Sequence, residues 1–282
     1  MCIRAWLAAA SFGAILFAAS PAPLAQWPPY PTANVPKTRS GEPDLEGPVP
    51  RTAEGKPDLS GLWDRVGSGG GALGQSPESL QSPDGGPPAA TFWNVGAGFD
   101  QGLPFRPLAA QLRAERMSNN QKNNPDALCL PMGLVQLHLH PQPRKIIQTP
   151  DVIVILYEGN SGLRQIFTDG RPLPTLDEDL QPWWYGYSAG RWEGDTLVVE
   201  TIGFRDDVWL DVQGSPLTNR GKMTERFRRS SYGTLQIDVT IEDPSAYTKP
   251  FTVRVNQRVM LDTELIEFIC NENEKSVQHF DP

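Results

Sequence analysis

KMTERFRRSSYGTLQIDVTI, residues 222–241, consists of two runs of alternating side chains separated by Ser230-Ser231-Tyr232-Gly233. In the second run Leu235, Ile237, Val239 and Ile241 share one face, while Gln236, Asp238 and Thr240 share the other. Alternation of period two is the mark of a β-strand with one face toward a core. In the first run the same period groups Met223, Glu225 and Phe227 opposite Thr224, Arg226 and Arg228. The short glycine-containing link makes the pair an antiparallel hairpin. It also raises a question about Glu225, a carboxylate in an otherwise apolar row.

The same pattern continues on both sides. Strands are expected over 136–140, 145–149, 152–157, 163–168, 187–192, 196–202, 222–229, 234–241, 252–260 and 264–271. Asp-Gly, Asn-Ser-Gly, Tyr-Gly and Asp-Pro steps punctuate many of them. Glu193-Gly194-Asp195 joins two such strands and reads as a tight turn, with both carboxylates at its tip. One helix is expected near 106–121, where Pro107 suits the first turn and Leu108, Leu112 and Met117 form a narrow stripe. A meander this long leaves exposed edges unless it closes, so the chain is expected to be mainly β, an antiparallel barrel.

The chain has 282 residues, 21% charged and 39% hydrophobic, with a formal net charge of −8. A net negative protein lacks the positive footprint that nucleic-acid binding requires. Arg4 followed by the apolar run Ala5–Ala19 and the break at Pro21 reads as a signal peptide over 1–25. That run is too short to span a bilayer. An exported mature protein, periplasmic or secreted, is the expectation. Ten of the 28 prolines lie between Pro21 and Pro57, which makes 26–58 an extended arm or linker. A single domain follows over 59–282, carrying an irregular Gly/Ser/Pro-rich insertion at 67–104. Its Phe92, Trp93 and Phe99 point to partial packing on the domain. The mature cysteines, Cys129 and Cys270, are expected to form a disulfide; two separate buried thiols are the alternative.

Gly61-Leu62-Trp63 resembles the Gly-X-Trp of the lipocalin superfamily, which implies a tryptophan plugging the closed end of a lipocalin-like barrel. KPDLSGLW, CLPMG, IIQTPDVIVILYE, RQIFTDGRPLP, GYSAGRWEGDTLVVET, WLD, TERFRR, DPSAYTKPFT and CNENE together resemble a family of exported, β-rich bacterial proteins without an assigned reaction. The resemblance covers roughly residues 50–282. It implies a compartment and a fold. One departure is SPLTNR (215–220), where many of those proteins carry a polar His-Pro-His-Ser-Glu-like segment.

Several residues are candidates for chemistry. Glu225, if lumenal, is a carboxylate out of water that must be paired or shifted. With Arg164 or Arg226 as partners for negative charge, it could serve acid–base work in an isomerase, lyase or hydrolase. The structural alternative is an ion pair with an arginine from a neighbouring strand. PWWYGY (182–187) supplies Trp183, Trp184 and Tyr187, and with Trp192 these are candidate walls for a small organic ligand. Glu200 and Glu272 are candidate polar contacts at the lumen or its rims. His138 and His140 share one face of an expected strand, and with His279 they form a candidate metal set. A solvated polar face explains the same alternation. No nucleotide-binding or serine-hydrolase motif occurs in the chain, so no cofactor is expected. The leading expectation is a small-molecule-binding barrel with its ligand in the lumen or mouth. The alternatives are the acid–base enzyme and a cell-envelope interaction module that docks through 67–104. Neither nucleic acid nor membrane insertion is expected, and nothing in the sequence sets an oligomeric state.

Overall fold

A computed structural model describes residues 30–66, 77–175 and 181–272. The expected signal peptide and His279 lie outside them. Eleven strands are described: β1 Gly61–Arg65, β2 Arg144–Gln148, β3 Val152–Tyr157, β4 Gly162–Phe167, β5 Tyr187–Glu193, β6 Thr196–Ile202, β7 Val208–Trp209, β8 Pro216–Leu217, β9 Lys222–Arg229, β10 Thr234–Glu242 and β11 Phe251–Met260. Nine of them close a barrel in the order β1-β11-β10-β9-β6-β5-β4-β3-β2, and β7 and β8 form a separate ribbon. The 222–241 hairpin pairs as its alternation requires, with Ile237 opposite Phe227 and Val239 opposite Glu225. Its apolar rows point inward and are buried, joined by Ile153, Ile155, Ile166, Leu197, Val199, Val253 and Val255. Side chains therefore fill the barrel, as in other small barrels.

One end is sealed by Trp63. Its ring is fully buried, its indole N–H donates to the Leu59 carbonyl at 3.0 Å, and the Arg229 guanidinium lies 4.9 Å over it. The described part of the proline-rich arm wraps this end. Gly233 donates to the Leu45 carbonyl at 2.7 Å, and Arg51 grips both oxygens of Asp195 at 2.7 Å. Gly194 has φ +59°, so the 193–195 stretch is the tight turn expected.

The other end departs from expectation. Residues 136–140 are not a strand: Leu134–Leu139 forms a second helix, and all six of its residues are buried. A helix satisfies its own backbone, which an apolar segment at a barrel's end cannot do by pairing with strands already partnered. Gly133 allows this helix to dock, since a Cβ there would stand 2.2 Å from the Trp209 carbonyl. The first helix, α1, spans Pro107–Ser118; the second is α2. The described part of the insertion, 77–104, packs on the barrel, as its aromatics suggested. Phe99 meets Phe251 edge-on at 6.3 Å, and Arg254 on β11 pairs with Asp84 and Asp238.

Residues 264–271 are not a strand either, because β11 is already paired with β1 and β10. They run outside the barrel, where Glu264 pairs with Lys145 and the Glu158 carboxylate accepts the Ile266 N–H at 3.0 Å. Cys129 and Cys270 form the expected disulfide, with Cα atoms 5.6 Å apart. Among the described residues no helix is long and apolar enough to cross a membrane.

Candidate functional site

One junction in the wall is not antiparallel. β4 and β5 run parallel and share only two register pairs, Ile166 with Ser188 and Phe167 with Ala189. The first four residues of β4 thus have no β5 partner, and the wall opens there. The preceding segment lies across the opening, pinned by Trp183 N–H to the Gly203 carbonyl (2.9 Å) and by Arg205 N–H to the Trp183 carbonyl (3.1 Å). Gly186 makes the turn back into β5 at φ +60°, and a Cβ there would sit 2.6 Å from the Ile202 carbonyl oxygen. Gly186→Ala is therefore expected to cost about 1–3 kcal/mol through backbone strain and collision. Gly194→Ala, at a similar φ but in open space, should cost about 1 kcal/mol. Urea denaturation of both variants checks this, and equal losses would refute the collision.

A cleft of about 340 Å³ occupies the opening. Trp183, Trp184, Tyr185, Leu163 and Phe167 supply its apolar walls, and Arg164, Gln165, Ser188 and Arg205 its polar groups. Trp183 is 53% exposed, an unusual position for so large a ring. It packs against Tyr187 at 6.0 Å, and Tyr187 packs against Phe167 at 5.2 Å, so the exposed ring has a rigid backing. Arg205 stacks over Trp184 at 4.7 Å.

Behind the cleft lies a buried polar cluster. Arg164 and Glu225, 1% and 0% exposed, pair through both arginine Nη atoms, with Nη1 to Oε1 at 3.0 Å and Nη2 to Oε2. Nη2 also donates to Thr201 Oγ1 at 3.0 Å and Ser188 Oγ at 3.1 Å. His138 Nε2 reaches Glu225 Oε1 at 2.8 Å, and the Tyr157 hydroxyl lies 3.4 Å from Nδ1. Burial pushes the His138 imidazole down in pKa against the pull of Glu225, and Arg164 and Arg144 push the same way as burial. The ring is then neutral, with Nε2–H donating to the carboxylate and Nδ1 accepting from Tyr157. Burial pushes the Glu225 carboxyl up, but Arg164's charge and the hydrogen bonds from His138 and Arg164 outweigh it, leaving it at about 2. An ionised carboxylate held this low is a poor proton acceptor near neutral pH. The pairing alternative for Glu225 is what the geometry shows, except that the arginine comes from β4, three strands away around the wall.

The remaining candidates do not converge on this place. Arg226 points outward and pairs with Glu193 at 3.1 Å, so it is no partner of Glu225 in the lumen. Glu200 is also on the outer face, between Lys222 and Arg191. Glu272 is exposed beyond the disulfide, and Trp192 stands at the far end of β5 from the cleft. His140 turns away from His138, stacking edge-on with Phe92 at 5.3 Å. With His138 committed to Glu225, the two do not form the side-by-side pair that a strand would have made. Among the described residues no three His, Cys, Asp or Glu groups converge to hold a metal. Sequence reasoning missed Ser188, Thr201 and Tyr157. The signal for Thr201 was present, since it shares the period-two face of Leu197 and Val199. No family model, curated protein or solved structure matches the chain.

Proposed function

We propose that this chain is an exported, lipocalin-like small-molecule-binding barrel. Its ligand is a planar organic molecule held in the β4–β5 cleft at the barrel wall, and the filled lumen takes no part. The observation that carries the reading is the 53% exposed Trp183 ring, backed by Tyr187 over a cleft of about 340 Å³. An aromatic wall offers a flat ligand a stacking face, and the few polar groups at the floor can orient it. The cleft's volume suits a one- or two-ring compound. The disulfide and the signal-like N-terminus support export. The acid–base alternative loses its leading base, because Glu225 is buried, low in pKa and bound by Arg164 and His138.

Isothermal titration calorimetry with 2-naphthoate and 2-naphthamide tests the proposal on the wild type and Trp183→Ala. Saturable binding tighter than about 1 mM is expected for at least one of them. Trp183→Ala should weaken it about ten-fold without changing the thermal midpoint, since loss of one stacking face is worth about 1.4 kcal/mol. Failure of both compounds to bind, or binding indifferent to Trp183, overturns the assignment to this cleft.

A further inference from the structure

A second cavity, of about 360 Å³, lies on the other side of Trp184, which lines both. Arg205 belongs to the first cleft, and its ion-pair partner Asp207, at 2.7 Å, belongs to the second. The second cavity is bounded by α1, by the 123–130 stretch and by residues 206–209.

Its apolar wall is unusual in what it leaves uncovered. The stripe Leu108, Leu112 and Met117 of α1 does not face the core; these residues are 79%, 38% and 37% exposed. α1 instead docks through Ala109, which is buried, and through two arginines. Arg113 reaches the Gln213 side chain. Arg116 donates to the Gly214 carbonyl at 2.8 Å and lies 4.5 Å over the Trp209 ring. Leu112 is thereby free to line the cavity together with Leu128 and Leu130, themselves 55% and 42% exposed.

The charged lining is one-sided. Glu115, Asp206 and Asp207 contribute three carboxylates, of which Asp207 is paired with Arg205, and Arg116 is the single cation among the lining residues. Arg116 is already committed to Trp209 and Gly214. Among the described residues neither Glu115 nor Asp206 has an ion-pair partner. Asp206 accepts only the Asn219 N–H at 2.8 Å, which leaves its charge uncompensated. An apolar pocket whose rim carries two carboxylates outside any ion pair, Glu115 and Asp206, is complementary to a cation on a hydrophobic body.

We infer that this cavity is a second binding site, taking an amphiphilic organic cation such as an alkyl- or aryl-ammonium. The apolar body rests on Leu112, Leu128, Leu130 and Trp184, and the ammonium sits at Glu115 and Asp206. The site shares Trp184 with the β4–β5 cleft and is otherwise lined by different residues.

The probe set is 4-phenylbutylamine, 4-phenylbutanol and 4-phenylbutyrate, which share a body and differ in head charge. Binding is followed by calorimetry and by chemical-shift mapping of the indole N–H signals. The amine is expected to bind at least about ten-fold tighter than the alcohol, with the carboxylate weaker still and the amine's affinity falling as salt rises. Glu115→Gln with Asp206→Asn should remove most of that preference and Leu128→Ala should weaken all three probes. All these positions lie at the surface, so unchanged melting confirms folding. Trp183→Ala should leave amine binding intact, which separates this site from the first cleft. Equal affinity for the three head groups overturns the inference, as does a preference for the amine that survives the double charge substitution. Amine binding abolished by Trp183→Ala also overturns it, because that would place the amine in the first cleft.

Discussion

Glu225→Leu is expected to destabilise the protein by about 3–5 kcal/mol, because it leaves the fully buried Arg164 guanidinium without its counter-charge. The loss should be far smaller for Glu225→Leu combined with Arg164→Met, in which both charges leave the interior together. A double-mutant cycle read by urea denaturation gives the coupling, expected at several kcal/mol. Losses that simply add would mean that the pair is not the unit the geometry describes. Solution pH tests the same pair without mutation. The folded-state pKa of Glu225 is depressed from an ordinary 4.5 to about 2, so its contribution is fully present above pH 4.5. It is lost as pH falls from 4.5 toward 2, and amounts to about 3 kcal/mol at 1.36 kcal/mol per unit. The wild type should therefore lose stability more steeply than Glu225→Leu/Arg164→Met across that window.

The residues of this cluster show where the sequence was readable. Glu225's inward orientation follows from strict alternation along 222–229, and Arg164's follows from the same logic along β4. Their meeting could not be read, because β5 and β6 stand between β4 and β9, and reach across a lumen is a property of barrel closure. His138 was misplaced because LVQLHL also alternates. A short, largely apolar run fits a buried helix as well as a strand, and only the space left under the β7–β8 ribbon decides between them. The cleft was half legible. PWWYGY marked the aromatics, but the opening they border exists because β4 and β5 run parallel. That pairing is made across the 19 residues between Phe167 and Tyr187, after β2, β3 and β4 had paired as a meander, and nothing in the local pattern announced the reversal. Residues 264–271 carry a strand-like alternation, but both edges of β11 were taken.

Removing the disulfide, by Cys129→Ser/Cys270→Ser or by dithiothreitol, is expected to cost up to about 5 kcal/mol. The two cysteines are 141 residues apart, and the entropy that a cross-link removes from the unfolded chain grows with the logarithm of the loop it closes. The bond's position gives it a second role. Cys129 lies five residues before α2, and Cys270 ends the segment that runs outside the barrel from β11. The link thus ties the outer segment to the lead-in of the helix that carries His138 to Glu225. Reduction should first loosen residues 263–272, whose other ties among the described residues are few: Lys145–Glu264, Glu158 to Ile266, and the Ser161 hydroxyl to the Phe268 carbonyl at 3.3 Å. Hydrogen exchange at the Ile266 amide should rise on reduction, while amides of β9 and β10 change only as global stability changes. The thermal midpoint should drop by the same amount in the double serine variant and in reduced wild type. A wild-type midpoint indifferent to dithiothreitol would show that the bond does not form in solution. It would also remove a principal physical support for placing the protein in an oxidising compartment.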